Sequence, residues 1–263
     1  ASAVCRENAC AIGLCTGSFA DCDRTVSNGC EVDISSSTMH CGGCGLACAP
    51  GQTCATGRCV SNTGLPLGVG AAHACAVQAD GSVVCWGLNS SSQLGDGTTT
   101  SRAAPTTVPG LRGVTQLSAG DTNTCALLES GAVSCWGAGL YGQIGDGATA
   151  TRATPIAVFG ISDAVQIAVG GSHSCALRRS GTVSCWGRNN YGQLGDTTLV
   201  SRNLPTAVAG LTDVVELSAG RSHTCAVRRD GTVRCWGYNG SGQIGDGTTA
   251  NRSSPVVVPT TSD

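Results

Sequence analysis

The stretch Cys125-Ala-Leu-Leu-Glu-Ser-Gly-Ala-Val-Ser-Cys-Trp-Gly137 decides the fold, because its pattern returns four times at one spacing. Cys75, Cys125, Cys175 and Cys225 form one column, and Cys85, Cys135, Cys185 and Cys235 a second, with 50 residues between successive members. Trp86, Trp136, Trp186 and Trp236 are all the tryptophans of the chain, and Gly87, Gly137, Gly187 and Gly237 follow them. Next come Gln93-Leu-Gly-Asp-Gly97, Gln143-Ile-Gly-Asp-Gly147, Gln193-Leu-Gly-Asp196 and Gln243-Ile-Gly-Asp-Gly247, then Arg102, Arg152, Arg202 and Arg252. Such a period marks a repeat architecture, in which each unit buries its apolar face against the next.

Each repeat carries four strand signals. In the second they are Val114 to Ala119, Thr124 to Leu128, Ala132 to Trp136 and Thr154 to Val158. Their alternation and the Gly-bearing turn predict a four-stranded antiparallel sheet, the size of a propeller blade. If the turn is closed by Gly81 with Gln78 facing Ser82, counting outward sets Val77 against Val83 and Cys75 against Cys85. That is a non-hydrogen-bonded pair, where side chains approach most closely. Four cross-strand disulfides are therefore predicted: Cys75 with Cys85, Cys125 with Cys135, Cys175 with Cys185 and Cys225 with Cys235. The alternative is eight buried free thiols.

Ten further cysteines lie between Cys5 and Cys59. They divide the chain into a disulfide-rich module, 1–62, and four repeats, 63–263. The module has one Phe and no other aromatic residue, so crosslinks must supply what a small core cannot. Cys41-x-x-Cys44 beside His40 has zinc-knuckle spacing, but no second pair faces it at a suitable gap. Cysteine density points to an oxidising compartment, secreted or at the cell surface, with any signal peptide already removed. The formal charge is −2, every basic residue is Arg, and no basic cluster marks a nucleic-acid partner. No apolar run is long enough for a membrane span.

The order Gly-x-x-His-(Thr/Ser/Ala)-Cys-Ala-(Val/Leu), then Gly-x-Val-x-Cys-Trp-Gly, then Gly-Gln-(Leu/Ile)-Gly-Asp-Gly resembles the regulator of chromosome condensation repeat. The match runs from Gly70 to Val258, and Asn123 departs from the His73, His173 and His223 column. The resemblance implies a β-propeller with blades of about 50 residues, most often seven. In the family's eukaryotic founders the fold supports nucleotide exchange on a small GTPase and chromatin contact. The loops and basic tail that those roles use have no counterpart here. Bacterial relatives include a secreted inhibitor of β-lactamase that binds through loops on one propeller face. The first 60 residues resemble, more loosely, cysteine-rich modules of bacterial surface proteins.

No catalytic set stands out, no metal site or cofactor is expected, and the reading is that the chain is not an enzyme. The recurring histidines read as structural. Asp96, Asp146, Asp196 and Asp246 could hold calcium, but Asp in such loops more often closes an Asx-turn. Asn89, Asn239 and Asn251 begin Asn-x-Ser sequences. The residues that vary between repeats are more informative. Tyr141, Arg188, Tyr191 and Tyr238 follow Trp-Gly, and Tyr and Arg are the types that anchor interfaces. Four repeats fall short of a seven-bladed ring, which leaves a fragment, a small closed ring, or an open arc completed by other copies. The expectation is a non-enzymatic extracellular structural or adhesive protein that self-associates, into filaments where the rotation does not close. The alternative is a secreted recognition module, an inhibitor or adhesin, binding a protein or glycan through the loops.

Overall fold

The computed structural model describes residues 65–259, together with Ser35 and six short strands between residues 3 and 61. The chain divides into two units, Ala1–Gly64 and Leu65–Asp263. In the first, β1 (Ala3–Arg6) pairs with β2 (Ala9–Ile12), β3 (Phe19–Ala20) with β4 (Val32–Asp33), and β5 (Gln52–Ala55) with β6 (Arg58–Ser61). Cys5 lies opposite Cys10 and Cys54 opposite Cys59 in these antiparallel pairs. The other cysteines of this unit, and the zinc alternative at Cys41 and Cys44, fall outside the described residues.

The second unit is all-β: four sheets, each of four antiparallel strands in chain order. The first blade holds β7 (Leu67–Val69), β8 (His73–Val77), β9 (Val83–Gly87) and β10 (Arg102–Val108). The second holds β11 (Val114–Ala119), β12 (Asn123–Leu128), β13 (Val133–Gly137) and β14 (Arg152–Ala157). The third holds β15 (Ala164–Val169), β16 (His173–Arg178), β17 (Val183–Gly187) and β18 (Arg202–Ala207). The fourth holds β19 (Val214–Ala219), β20 (His223–Arg228), β21 (Val233–Gly237) and β22 (Arg252–Val257).

The central hairpin has the register expected from the sequence: Val77 opposes Val83 and Cys75 opposes Cys85, and the later blades repeat the cysteine pairing. Gly81 closes the first hairpin at φ 79°, a conformation that side-chain-bearing residues avoid. Cα atoms of each cysteine pair sit 4.1 Å apart, and four disulfides join them. A register shift in β11 falls between Val114 and Gln116. That extra residue brings Val114 and Leu117, three positions apart, onto the same buried side. Ala164 with Ile167 and Val214 with Leu217 repeat the device.

The core lies between blades. Leu177, Val183, Leu194 and Val208 of the third blade pack against Leu211, Val214, Leu217 and Trp236 of the third-to-fourth connection and the fourth blade. The indole settles over a glycine of the preceding loop. A Cβ built on Gly95, Gly145 or Gly195 would stand 2.6, 2.7 or 2.8 Å from the Nε1 of Trp136, Trp186 or Trp236. The innermost strands pack in succession, β7 on β11, β11 on β15 and β15 on β19. Among the described residues β7 and β19 form no packed pair of the same kind, and the outer face of the first blade is left open, so the four blades form an arc. Leu67 is 58% exposed, whereas its counterparts Leu117, Ile167 and Leu217 are 2–4% exposed.

Each disulfide closes a short loop, with a sequence separation of 10. Replacing Cys175 and Cys185 together by Ala should cost about 3 kcal/mol by loop-closure entropy, read as a lower urea midpoint.

Candidate partner-binding face

The loop after each Trp-Gly is held rigid by its own side chains. Asn89, Asn189 and Asn239 are fully buried. Each Oδ1 accepts the backbone N–H five residues on, at Leu94, Leu194 or Ile244. Each Nδ2 donates to the loop aspartate and to two backbone carbonyls across the loop. Asn89 and Asn239 are therefore closed to a sugar while the blade is folded; Asn251 is exposed. The second blade has Gly139 at this place, where the Ala150 backbone comes so close that no Cβ would fit.

The aspartates complete the same loops. Asp96 Oδ1 accepts the N–H and hydroxyl of Thr98, an Asx-turn, and Oδ2 pairs with Arg102 at 3.2 Å. Asp146, Asp196 and Asp246 likewise pair with Arg152, Arg202 and Arg252. The Thr248 hydroxyl, helped by Arg252 and opposed by partial burial, holds the Asp246 carboxyl down to about 2. Burial pushes Asp96 and Asp196 upward, but the bonds from Thr98 and Thr198, from the arginines and from the asparagines outweigh it. With a guanidinium where a cation would sit, these carboxylates serve the loop and have no open place for calcium. Among the described residues no group of three His, Cys, Asp or Glu gathers to hold a metal.

The histidine column lies between blades. His73 Nε2 is 2.7 Å from the Thr124 hydroxyl and His173 Nε2 is 2.9 Å from that of Thr224. Asn123 takes the same role, donating to Ser174 at 3.4 Å. Burial lowers both His73 and His173 to about 4, with neighbouring His223 adding to the shift at His173. These rings are neutral structural pins.

On this frame the four variable residues come together. The Arg188 guanidinium lies 4.8 Å from the centre of the Tyr141 ring. The rings of Tyr191 and Tyr238 are 4.9 Å apart and tilted by 57°. Arg188, Tyr191 and Tyr238 line one cavity of about 450 Å³, and Tyr141 joins it through Arg188. Arg188 Nε is buried without a hydrogen-bond partner. Asp121 and Arg221, paired at 2.9 Å, also line the cavity, as do Ser172, Ser222 and His223. The sequence reading missed Asp121 and Arg221, although a signal was present. Ala71, Asp121, Gly171 and Arg221 occupy one column and differ in every repeat, as the tyrosine loops do.

Four sheets of this build, stacked in succession around one axis, define a β-propeller-type repeat protein. The Regulator of chromosome condensation (RCC1) repeat matches residues 80–127, 130–177, 180–227 and 230–263, more than half of the sequence, so the chain belongs to the RCC1 repeat family. A second description of the same repeat matches 114–143, 164–193 and 214–243. No curated protein matches the chain. Human WBSCR16 is similar over 84% of this chain and 60% of its own, at 24% identity and a TM-score of 0.68. Yeast RCC1 (Prp20), solved bound to Kap60, is similar over 80% and 53%, at 21% identity and a TM-score of 0.66. Saccharomyces cerevisiae Prp20p, described with its binding properties to Gsp1p and histones, is similar over 86% and 58%, at 22% identity and a TM-score of 0.65. The chain thus spans 53–60% of the length of these structures, and the likeness at such identity is one of fold.

The buried histidines give the fold an acid limit. An unfolded chain takes up these protons near pH 6.5 and the folded one only near 4, so the unfolded state binds more protons in between. Stability is full above pH 6.5 and falls as the pH drops toward 4, read as a falling melting temperature. His173→Asn, which installs the residue type of Asn123, should flatten that fall; an unchanged slope would place the acid sensitivity elsewhere.

Proposed function

We propose that the chain is a non-enzymatic binding module, secreted or held at a cell surface, that recognises an extracellular protein or glycan through one loop face. The observation that carries this reading is the convergence of Tyr141, Arg188, Tyr191 and Tyr238 at one cavity, with an Arg188 N–H left without a partner. Tyrosine supplies contact area at small entropic cost, and a buried donor with no acceptor favours a ligand that brings one. Repeated residues such as Gln193, Gln243 and His223 form part of the wall, and the variable Arg188, Tyr191, Tyr238, Asp121 and Arg221 give it its particular character. The binding of Gsp1p and histones described for Prp20p is not carried over, since the likeness reaches the fold alone. The absence of a basic cluster also weighs against chromatin.

A second reading, a self-assembling structural or adhesive protein that forms filaments, is favoured by a separate observation. Leu65, Leu67 and Val69 at one end of the arc are 58%, 58% and 66% exposed. Strand faces left open in this way are completed by other chains or by further elements.

The loop-face reading is tested by selecting a displayed random-peptide library, and in parallel a glycan array, on the disulfide-intact chain. Selected ligands should lose at least about tenfold in affinity on Arg188→Ala and on Tyr191→Ala combined with Tyr238→Ala, as for hot-spot residues. Ligands that bind these variants as well as the parent chain would remove the face from consideration.

A further inference from the structure

The three junctions between successive blades are built alike. Trp136, Trp186 and Trp236 donate Nε1–H to the backbone carbonyls of Gln93, Gln143 and Gln193 in the preceding blade, at 2.9, 3.0 and 2.9 Å. In two junctions a glutamine of the innermost strand exchanges a pair of bonds with the next blade's backbone. Gln116 does so with Ile167 and Gln166 with Leu217, at 2.8–2.9 Å. Apolar residues close the rest: Leu127, Val133 and Val158 of the second blade share a cluster with Ile167 and Trp186 of the third.

The two ends of the arc carry the two halves of one more such junction. On the fourth blade the Gln243 carbonyl has no donor among the described residues. Val227, Val233 and Val258 are half-buried where Leu127, Val133 and Val158 are buried. Only Val258 stands near the Cβ position of Gly245, whereas the corresponding Gly195 meets the Trp236 indole. On the first blade the Trp86 indole N–H has no acceptor among the described residues, and Leu67 and Val69 are exposed.

We propose that these ends join head to tail between two copies of this chain. Trp86 of one copy fills the slot at Gly245 of the other and donates to the Gln243 carbonyl, while its Leu67 covers Val227 and Val258. This rests on the self-association reading and is independent of the loop face. The described residues of each copy offer one face of each kind, so two such arcs close into a ring of eight blades where four span half a turn. Otherwise the contact propagates.

The new junction lacks some bonds of the internal ones. Ala74 stands where Thr124, Ser174 and Thr224 have hydroxyls, and Glu216 where Gln116 and Gln166 have amides. Glu216 can accept the Leu67 N–H, but it cannot donate to the Leu67 carbonyl as Gln166 donates to Leu217. The association is accordingly reversible.

Light scattering of the non-reduced chain at about 100 µM should give twice the 26.1 kDa of one chain, or a larger multiple. Leu67→Arg places a charge on an already exposed position and should yield monomers with unchanged circular dichroism. Glu216→Gln restores the missing donor and should tighten association about fivefold. Tyr141→Ala, aimed at the loop face, should leave the mass unchanged, so the two readings can fail separately. A parent chain monomeric at that concentration overturns the proposal. An oligomer that Leu67→Arg leaves intact does so as well, because its contact then lies elsewhere, for example on the cysteine-rich unit.

Discussion

The arc depends on a bond that no single blade can make. Each internal tryptophan reaches back to a glutamine carbonyl of the blade before it, over a glycine with no room for a side chain. The same carbonyl also accepts the hydroxyl of Thr124, Ser174 or Thr224, and in two junctions a histidine stands against that hydroxyl. A polar thread thus runs from blade to blade inside an apolar interface. Buried donors and acceptors that satisfy one another fix a register that apolar packing alone leaves loose. The disulfides act at another level: they set the hairpin within a blade, whereas the indole sets how blades stack.

Much of this was legible in the sequence because the fold repeats it. Four aligned copies turn local alternation into a pattern, and the turn glycines set the hairpin register that brings Cys75 against Cys85. The bulge at Val114 was not legible, since an inserted residue in a strand leaves no trace beyond a spacing of three between buried positions. Nor could the sequence show that Asn89 and Asn239 are buried loop clamps. An Asn-x-Ser sequence reads the same whether its amide faces water or a ring of carbonyls. At the candidate site, the tyrosine loops stood out because they vary against a constant frame. Asp121 and Arg221 varied equally but lie in another column, and only the folding of the arc brings a residue of the second blade against one of the fourth, 100 positions later.

The repeat also separates stability from recognition. Asn189, Gln193, Asp196 and Arg202 spend their hydrogen bonds inside their own loop or junction. What remains free to meet a partner is a small set of side chains on rigid stalks, and Tyr191 is fixed through its backbone N–H to Gln193. Binding at such a face, as proposed above, needs little reorganisation, which favours affinity through preorganisation rather than area.

Every disulfide of the arc joins two cysteines of one hairpin, and none crosses from blade to blade. The unit of covalent closure therefore coincides with the 50-residue repeat of the sequence. A gene that gains or loses a whole period gains or loses thiols in matched pairs and strands none to mispair with its neighbours. Disulfide-rich folds with interlaced bridges have no such freedom, because removing any segment orphans a cysteine elsewhere. With each bridge confined to one hairpin, a change in blade number carries no penalty in oxidative folding, and the end faces are where such a change is felt.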